Sequence, residues 1–421
     1  MSGCPFHFTR RSFLGLAGIA AAAGIGYGAR GAVDTLAGKG GPATGAAEPF
    51  WGIHQSGITT PAQSHTYFAA FDLVTEKREE VIALLQKWTK ASERMAKGLP
   101  ADEIVPANAD DTHDGGDALG LPPSRLTITF GFGPSLFNKN GKDRYGLTSK
   151  RPAALVDMPA FSGDQLVPER TGGDLSVQAC ADDPQVAFHA VRQLVRLANY
   201  VAQIRWTQAG FSSSSPEGGT PRNLMGFKDG TVNPSASDMD KVVWAGSEGP
   251  DWMRGGSYLV ARRIRIVLEH WDQMKVGFQE QVFGRQKISG APLGGQKEFD
   301  KANFETVDAD GNYVVPENSH MRLAAAATND GAQILRRAYS YNDGVNMVAE
   351  RWPPWRQGME YDAGLLFMCY QRDPRTGFIK IFDKMSKFDL MNQFTTHVGG
   401  GLFACPGGAK EAEFIGQRLF V

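Results

Sequence analysis

Apolar positions recur along most of the chain, with a spacing that changes from segment to segment. Residues 64–75, SHTYFAAFDLVT, form a short apolar run that predicts a strand. Thr75 is placed to cap a following helix, in which Val81, Leu84, Leu85 and Trp88 share one face. In SRLTITFGFG, 124–133, Leu126, Ile128 and Phe130 alternate with Thr127 and Thr129, the period of a strand. DLSVQACA, 174–181, reads as another strand. Asp183-Pro184 then opens a helix, with a cap followed by a first-turn proline. Its apolar face is Ala187, Val191, Leu194, Val195 and Ala198. The order is close to β-α-β-β-α-β.

The second half repeats that order without a visible residue repeat. GGSYLVARRIRI at 255–266 is strand-like, LEHWDQM follows as a short helix, and AYSY (338–341) and GLLFMCYQRD (364–373) read as strands. A helix is expected over about 383–394. The predicted fold class is therefore α+β, with two ferredoxin-like (split βαβ) halves side by side. The halves are expected at 48–215 and 216–421, joined through the polar stretch Ser212–Thr220. A length of 421 residues suits two units better than one core.

Residues 1–47 are set apart from both halves. TRRSFLG at 9–15 places Arg10 and Arg11 before an apolar run to about Tyr27, followed by a Gly/Ala-rich stretch. That run is too short and weakly apolar for a membrane span, and it resembles a twin-arginine export signal with a flexible linker. Export through that route carries folded proteins, so a cofactor inserted beforehand is expected. Cleavage is expected near Gly45-Ala46-Ala47; a retained anchor is the alternative.

Composition narrows the chemistry by exclusion. Lys+Arg 44 against Asp+Glu 45 gives a net charge of -1, which offers no basic surface for nucleic acid. Cys4, Cys180, Cys369 and Cys405 form neither a CxxC pair nor a CxxCH attachment motif, so Cys180, Cys369 and Cys405 are expected to be small buried side chains without a disulfide framework.

Three stretches carry candidate chemistry. GFKDGT at 226–231 presents Asp229 between glycines, with Asn233 two residues beyond; by itself it reads as a capped turn. His320 in HMRLA, 320–324, is either a satisfied core histidine or an axial ligand of haem iron. A ligating histidine needs an acceptor on its other ring nitrogen, and Asp389 in KFDLMNQF is the candidate. ILRRAYSY, 334–341, offers Arg336 and Arg337, and the residues alone do not choose between them.

Together with FGRQKISGAPLG (283–294), GLLFMCYQRDP and HVGGGLFACPGG, these motifs resemble the dye-decolourising peroxidases. They are most similar to the exported deferrochelatase/peroxidase branch, and the likeness covers about residues 50–421. The resemblance implies a dimeric α+β barrel-type fold and one non-covalent haem b per chain. It implies His320 as the iron ligand and Asp389 as its partner. It also implies distal catalytic roles for Asp229, Arg336 and Asn233. The resemblance likewise implies Arg322 facing a haem propionate, with Phe227 and Gly230 expected against the cofactor. Hydrogen peroxide and a bulky reducing donor are the expected substrates. A periplasmic or otherwise exported homo-oligomer, with iron-uptake components as further partners, is expected. A carboxylate beside a guanidinium favours its anionic form, so dye oxidation is expected to run best in acid. The insertion at 344–362, with Trp352 and Trp355, departs from the pattern. It reads as a packed loop, a cover over the haem entrance, an oligomer contact or an electron relay. Two other functions fit the same His320: a haem-binding protein that releases iron, and a duplicated protein without haem.

Overall fold

The computed structural model describes residues 45–104, 113–213, 219–349 and 357–421. They all belong to one compact unit, Gly41–Val421. The twin-arginine segment, Cys4, Trp352 and Trp355 lie outside the described residues.

Among the described residues there are nine strands: β1 (His65–Leu73), β2 (Thr127–Phe132), β3 (Leu175–Ala181), β4 (Ala202–Phe211), β5 (Ser257–Ile266), β6 (Leu335–Arg336), β7 (Tyr339–Ala349), β8 (Gln357–Gln371) and β9 (Thr395–Cys405). They join in the order β5-β9-β2-β3-β1-β4-β7-β8-β6, and a further β5–β8 pairing closes the sheet on itself. Every strand pair is antiparallel. Two four-stranded sets are visible within this order. In the first, β4-β1-β3-β2, the outer strands are the last and the second to be made; β9-β5-β8-β7 repeats the pattern. That is the ferredoxin-like order in each half, so the α+β expectation holds.

The helices Arg78–Ala96 and Pro184–Leu197 bury the predicted faces, Val81, Leu84, Leu85 and Trp88 in one and Ala187, Val191 and Leu194 in the other. Trp88 Nε1 donates to Leu194 O at 2.8 Å and fastens the two together. Asp183 caps the second helix, accepting from Gln185 N at 2.7 Å and Val186 N at 3.1 Å.

Several elements differ from expectation for identifiable reasons. Lys77, not Thr75, is the N-cap of the first helix. The Thr75 hydroxyl instead donates to Glu80 Oε2 at 2.5 Å and accepts from Lys77 N at 3.1 Å. The alternation in β2 does not mark a solvent face, because all six residues are buried. Thr127 and Thr129 point to the interior and are satisfied there, Thr127 by Gln63 Nε2 at 3.1 Å and Thr129 by Ser56 O at 2.7 Å. The helix expected at 383–394 runs from Phe378 to Phe388 and gives way to a 3-10 turn at Leu390–Gln393. Residues 350–356 of the segment 344–362, with Trp352 and Trp355, lie outside the described residues. The described residues of that segment lengthen β7 and β8 into a hairpin, with Val345 opposite Tyr361 and Met347 opposite Met359. The linker expected to 47 already touches the body at Ala46, whose carbonyl accepts from Arg125 N at 2.8 Å. Cys180, Cys369 and Cys405 are buried free thiols. No helix among the described residues is long and apolar enough to cross a membrane.

Candidate functional site

His320 opens the helix His320–Ala324, directly after Ser319. Its Nδ1 lies 2.7 Å from Asp389 Oδ2. Asp389 sits where the Phe378–Phe388 helix ends and the 3-10 turn begins, and its other oxygen accepts from Met391 N at 2.9 Å. Both carboxylate oxygens are thus engaged on a side chain only 3% exposed. A backbone bond from Leu390 N to Asn318 O, 3.0 Å, fastens the two segments beside this pair. The imidazole itself is 33% exposed, and among the described residues its Nε2 has no hydrogen-bond partner. A ring held by one nitrogen against a buried carboxylate, with the other nitrogen open, is the donor arrangement that an iron ligand requires.

The helix Val276–Phe283 was not anticipated from sequence. It ends on Gly284, whose φ of +79° is left-handed. A Cβ there would stand 3.0 Å from Ser319 Oγ and 3.3 Å from Met321 Cβ. Glycine therefore allows both the turn and the close approach to the residues flanking His320. Phe283 lies with its ring centroid 6.2 Å from that of His320, and it stacks on Phe227 at 3.9 Å and 4°. With Met225, Trp271, Val282 and Phe394 these rings form an apolar cluster of their own. Phe227 thereby connects the His320 side to the GFKDGT turn.

That turn holds Asp229 against β6. Arg336 Nη1 donates to Asp229 Oδ1 at 2.9 Å, with the two side chains 26% and 20% exposed. Asn233 brackets the Arg336 backbone, donating to its carbonyl at 2.9 Å and accepting from its N–H at 3.0 Å. Arg337 points the other way. It is buried and donates to Thr60 O and Gln63 Oε1, so the geometry separates the two arginines that the sequence left equivalent.

Other expected site residues fall less centrally. Gly230 adopts φ +107° in the turn. Arg322 joins neither pair: its Nη1 donates to Val315 O at 3.0 Å, and its guanidinium lies 4.3 Å from the Tyr313 ring centroid. Sequence reasoning missed Glu298. Its carboxylate accepts from Thr231 Oγ1 at 3.0 Å and pairs with Lys228, on either side of Asp229. Arg285, within the FGRQKISGAPLG motif, is buried and donates to Gly290 O at 2.6 Å and Glu298 O at 3.0 Å. That motif was a signal for the surrounding loop, though not for Glu298 itself.

Chemically, one side offers an imidazole poised for a metal, and another offers a carboxylate, a guanidinium and an amide. Aromatic rings run from one towards the other. These residues fit a haem, with His320 to hold the iron.

Comparison with known proteins agrees. The chain matches the family models for the Dyp-type peroxidase N-terminal region over residues 55–212 and the C-terminal region over 220–410. It is 38% identical over 383 residues to a dye-decolorizing peroxidase of Thermobifida fusca, covering 87% of this chain and 83% of that one. It is 34% identical over 384 residues to a deferrochelatase of Escherichia coli strain K12, covering 88% and 87%. The structure of ferric DtpA from Streptomyces lividans superposes with a TM-score of 0.81 at 41% identity, covering 90% of this chain and 98% of that one.

Proposed function

Because the chain belongs to the Dyp-type peroxidase family and is a haem-dependent peroxidase acting on hydrogen peroxide and a reducing substrate, we propose that Asp229 and Arg336 activate the peroxide while His320 and Asp389 hold the cofactor. The observation that carries this reading is the 2.9 Å pairing of Arg336 with Asp229 in a part-exposed position.

Haem, when bound, supplies the iron at which the peroxide O–O bond breaks. Asp229 takes the proton from one peroxide oxygen and returns it to the other, which then leaves as water. Arg336 donates to the departing oxygen as charge builds there. Asn233 holds the Arg336 backbone from both sides, which keeps that donor aimed. Asp389 accepts the Nδ1 proton of His320 and so keeps the Nε2 lone pair free for the iron. Arg322 has N–H groups beyond the one given to Val315 O, and these serve a propionate; Phe227 and Gly230 line the cofactor.

The donor is a bulky phenol or dye, oxidised outside the cytoplasm after twin-arginine export, a reading supported by TRRSFLG at 9–15. A homo-oligomer is supported by the β7–β8 hairpin. Val345, Met347, Met359 and Tyr361 lie exposed on one of its faces. The opposite face is fastened down by Arg265 on Glu360 at 2.5 Å. The deferrochelatase relatives favour a second reading, release of iron from intact haem to iron-uptake components.

One equivalent of hydrogen peroxide added to the haem-loaded protein tests the choice. A rapid shift of the Soret band, markedly slowed in Asp229→Ala, supports peroxide activation. A band that ignores peroxide, or bleaches with iron release, turns the reading to haem and iron handling.

A further inference from the structure

The geometry points to Glu298 as a positioning residue that holds the Asp229 turn from both sides and so aims the carboxylate at Arg336. This rests on the role for Asp229 proposed above.

The contacts converge on a single side chain. Glu298 is 9% exposed and lies in a loop separate in sequence from the turn it grips. One carboxylate oxygen accepts from the Thr231 hydroxyl at 3.0 Å; the other pairs with the Lys228 ammonium. Those two partners stand immediately before and two residues after Asp229. These bonds outweigh burial and hold the Glu298 carboxyl below its usual range, so it stays an acceptor.

The grip is itself anchored. Arg285 Nη1 donates to both Glu298 O and Gly290 O. At Gly290 a Cβ would stand 2.7 Å from Lys228 Cδ, so glycine lets the loop close onto the lysine stem. From the far side, Arg222 spans the turn, donating to Gly226 O at 2.7 Å and to Lys287 O at 2.6 Å. Asp229 N donates to Pro221 O at 2.9 Å.

The turn is therefore fixed by backbone bonds on one side and by one buried carboxylate on the other. Asp229 donates or accepts nothing toward Glu298 itself among the described residues. The influence is on where the turn stands, and misplacement of about 1 Å at a reacting group lowers rate by as much as ~100-fold.

The test combines two readouts. In haem-free protein, hydrogen exchange over residues 220–233 is compared for the parent, Glu298→Ala and Glu298→Gln. In haem-loaded protein, the Soret change on mixing with peroxide gives the activation rate, alone and in an Asp229→Ala background. The expected result is faster exchange in Glu298→Ala and an activation rate about 10- to 100-fold lower. Glu298→Gln keeps an acceptor for Thr231 and recovers part of both. In the Asp229→Ala background, Glu298→Ala adds no further loss. If Glu298→Ala does not fold, Glu298→Gln and Thr231→Val carry the same comparison.

Unchanged exchange with an unchanged rate overturns the inference. An equal extra loss in the Asp229→Ala background overturns it as well, because Glu298 then acts independently of Asp229. If exchange rises while neither Glu298→Ala nor Asp229→Ala slows activation, the role of Asp229 has failed and the positioning role with it.

Discussion

Replacing Asp389 by asparagine changes two atoms' chemistry and almost nothing in shape. The native carboxylate accepts twice, from His320 Nδ1 at 2.7 Å and Met391 N at 2.9 Å. An amide has one acceptor and one donor, and at 3% exposure water is not there to help. The Met391 N–H is fixed in the backbone, so the amide oxygen turns to it. The amide NH2 then faces Nδ1. Imidazole responds by moving its proton to Nε2, the nitrogen meant for iron. Binding iron afterwards forces the proton back to Nδ1 against another donor. A buried polar group left facing no acceptor costs about 1–3 kcal/mol. At ~1.4 kcal/mol per decade that is roughly 5- to 150-fold in haem affinity, a span that brackets the ~10- to 100-fold typical for loss of a ligand's hydrogen-bond partner. Haem titration followed at the Soret band measures it, alongside melting of the haem-free protein and the midpoint potential of the bound iron. Affinity is expected to fall and the potential to rise, while the haem-free protein melts within a few degrees of the parent. Affinity within about twofold of the parent, with an unmoved potential, refutes the tautomer argument.

Three further outcomes follow from other contacts. Arg336→Leu is expected to slow peroxide activation by about 10²- to 10³-fold in stopped-flow mixing while leaving haem affinity unchanged. Gly284→Ala must adopt φ +79° and press on Ser319, so it is expected to lower both the melting temperature and haem affinity; a neutral result would show the helix end shifting freely. Asp72 resists protonation in the folded chain: burial raises its pKa, but Lys139 and Arg205 more than offset this and hold it below 3.8. Its contribution is therefore complete above pH ~4 and lost as the pH falls through the lower folded value. Asp72→Asn should accordingly melt lower than the parent near neutrality, and the gap should close in strong acid.

Sequence carried the fold furthest where burial is one-sided. The amphipathic helices at 78–96 and 184–197 announce themselves by spacing, and Asp183 by its cap chemistry. It carried less in strands buried on both faces, where the alternation of Thr127 and Thr129 with apolar residues marks the strand but not its full burial. The pair His320–Asp389 was legible because an iron ligand needs a partner, although the helix that ends at Asp389 begins at Phe378, five residues before the spacing predicts. Arg336 and Arg337 could not be separated by pattern, since a strand end decides which faces the turn and which the core. Glu298 was invisible because nothing local distinguishes a carboxylate that grips a distant turn from one that meets solvent. The hairpin at 344–362 was obscured by polar residues that a two-stranded arm can display on one face.

The closing strand of the barrel is also the last of the described strands in chain order. β9 pairs with β5 along its length and touches β2 at Ala404, so the sheet remains open until residues 395–405 arrive. Asp389 reaches His320 from the same late stretch of chain. Assembly must then wait for residues 389–405, with long-range pairings that form slowly and edges that are vulnerable to aggregation meanwhile. A chain truncated before Asp389 is thus expected to be an aggregation hazard, lacking both a sealed sheet and a complete iron-binding pair.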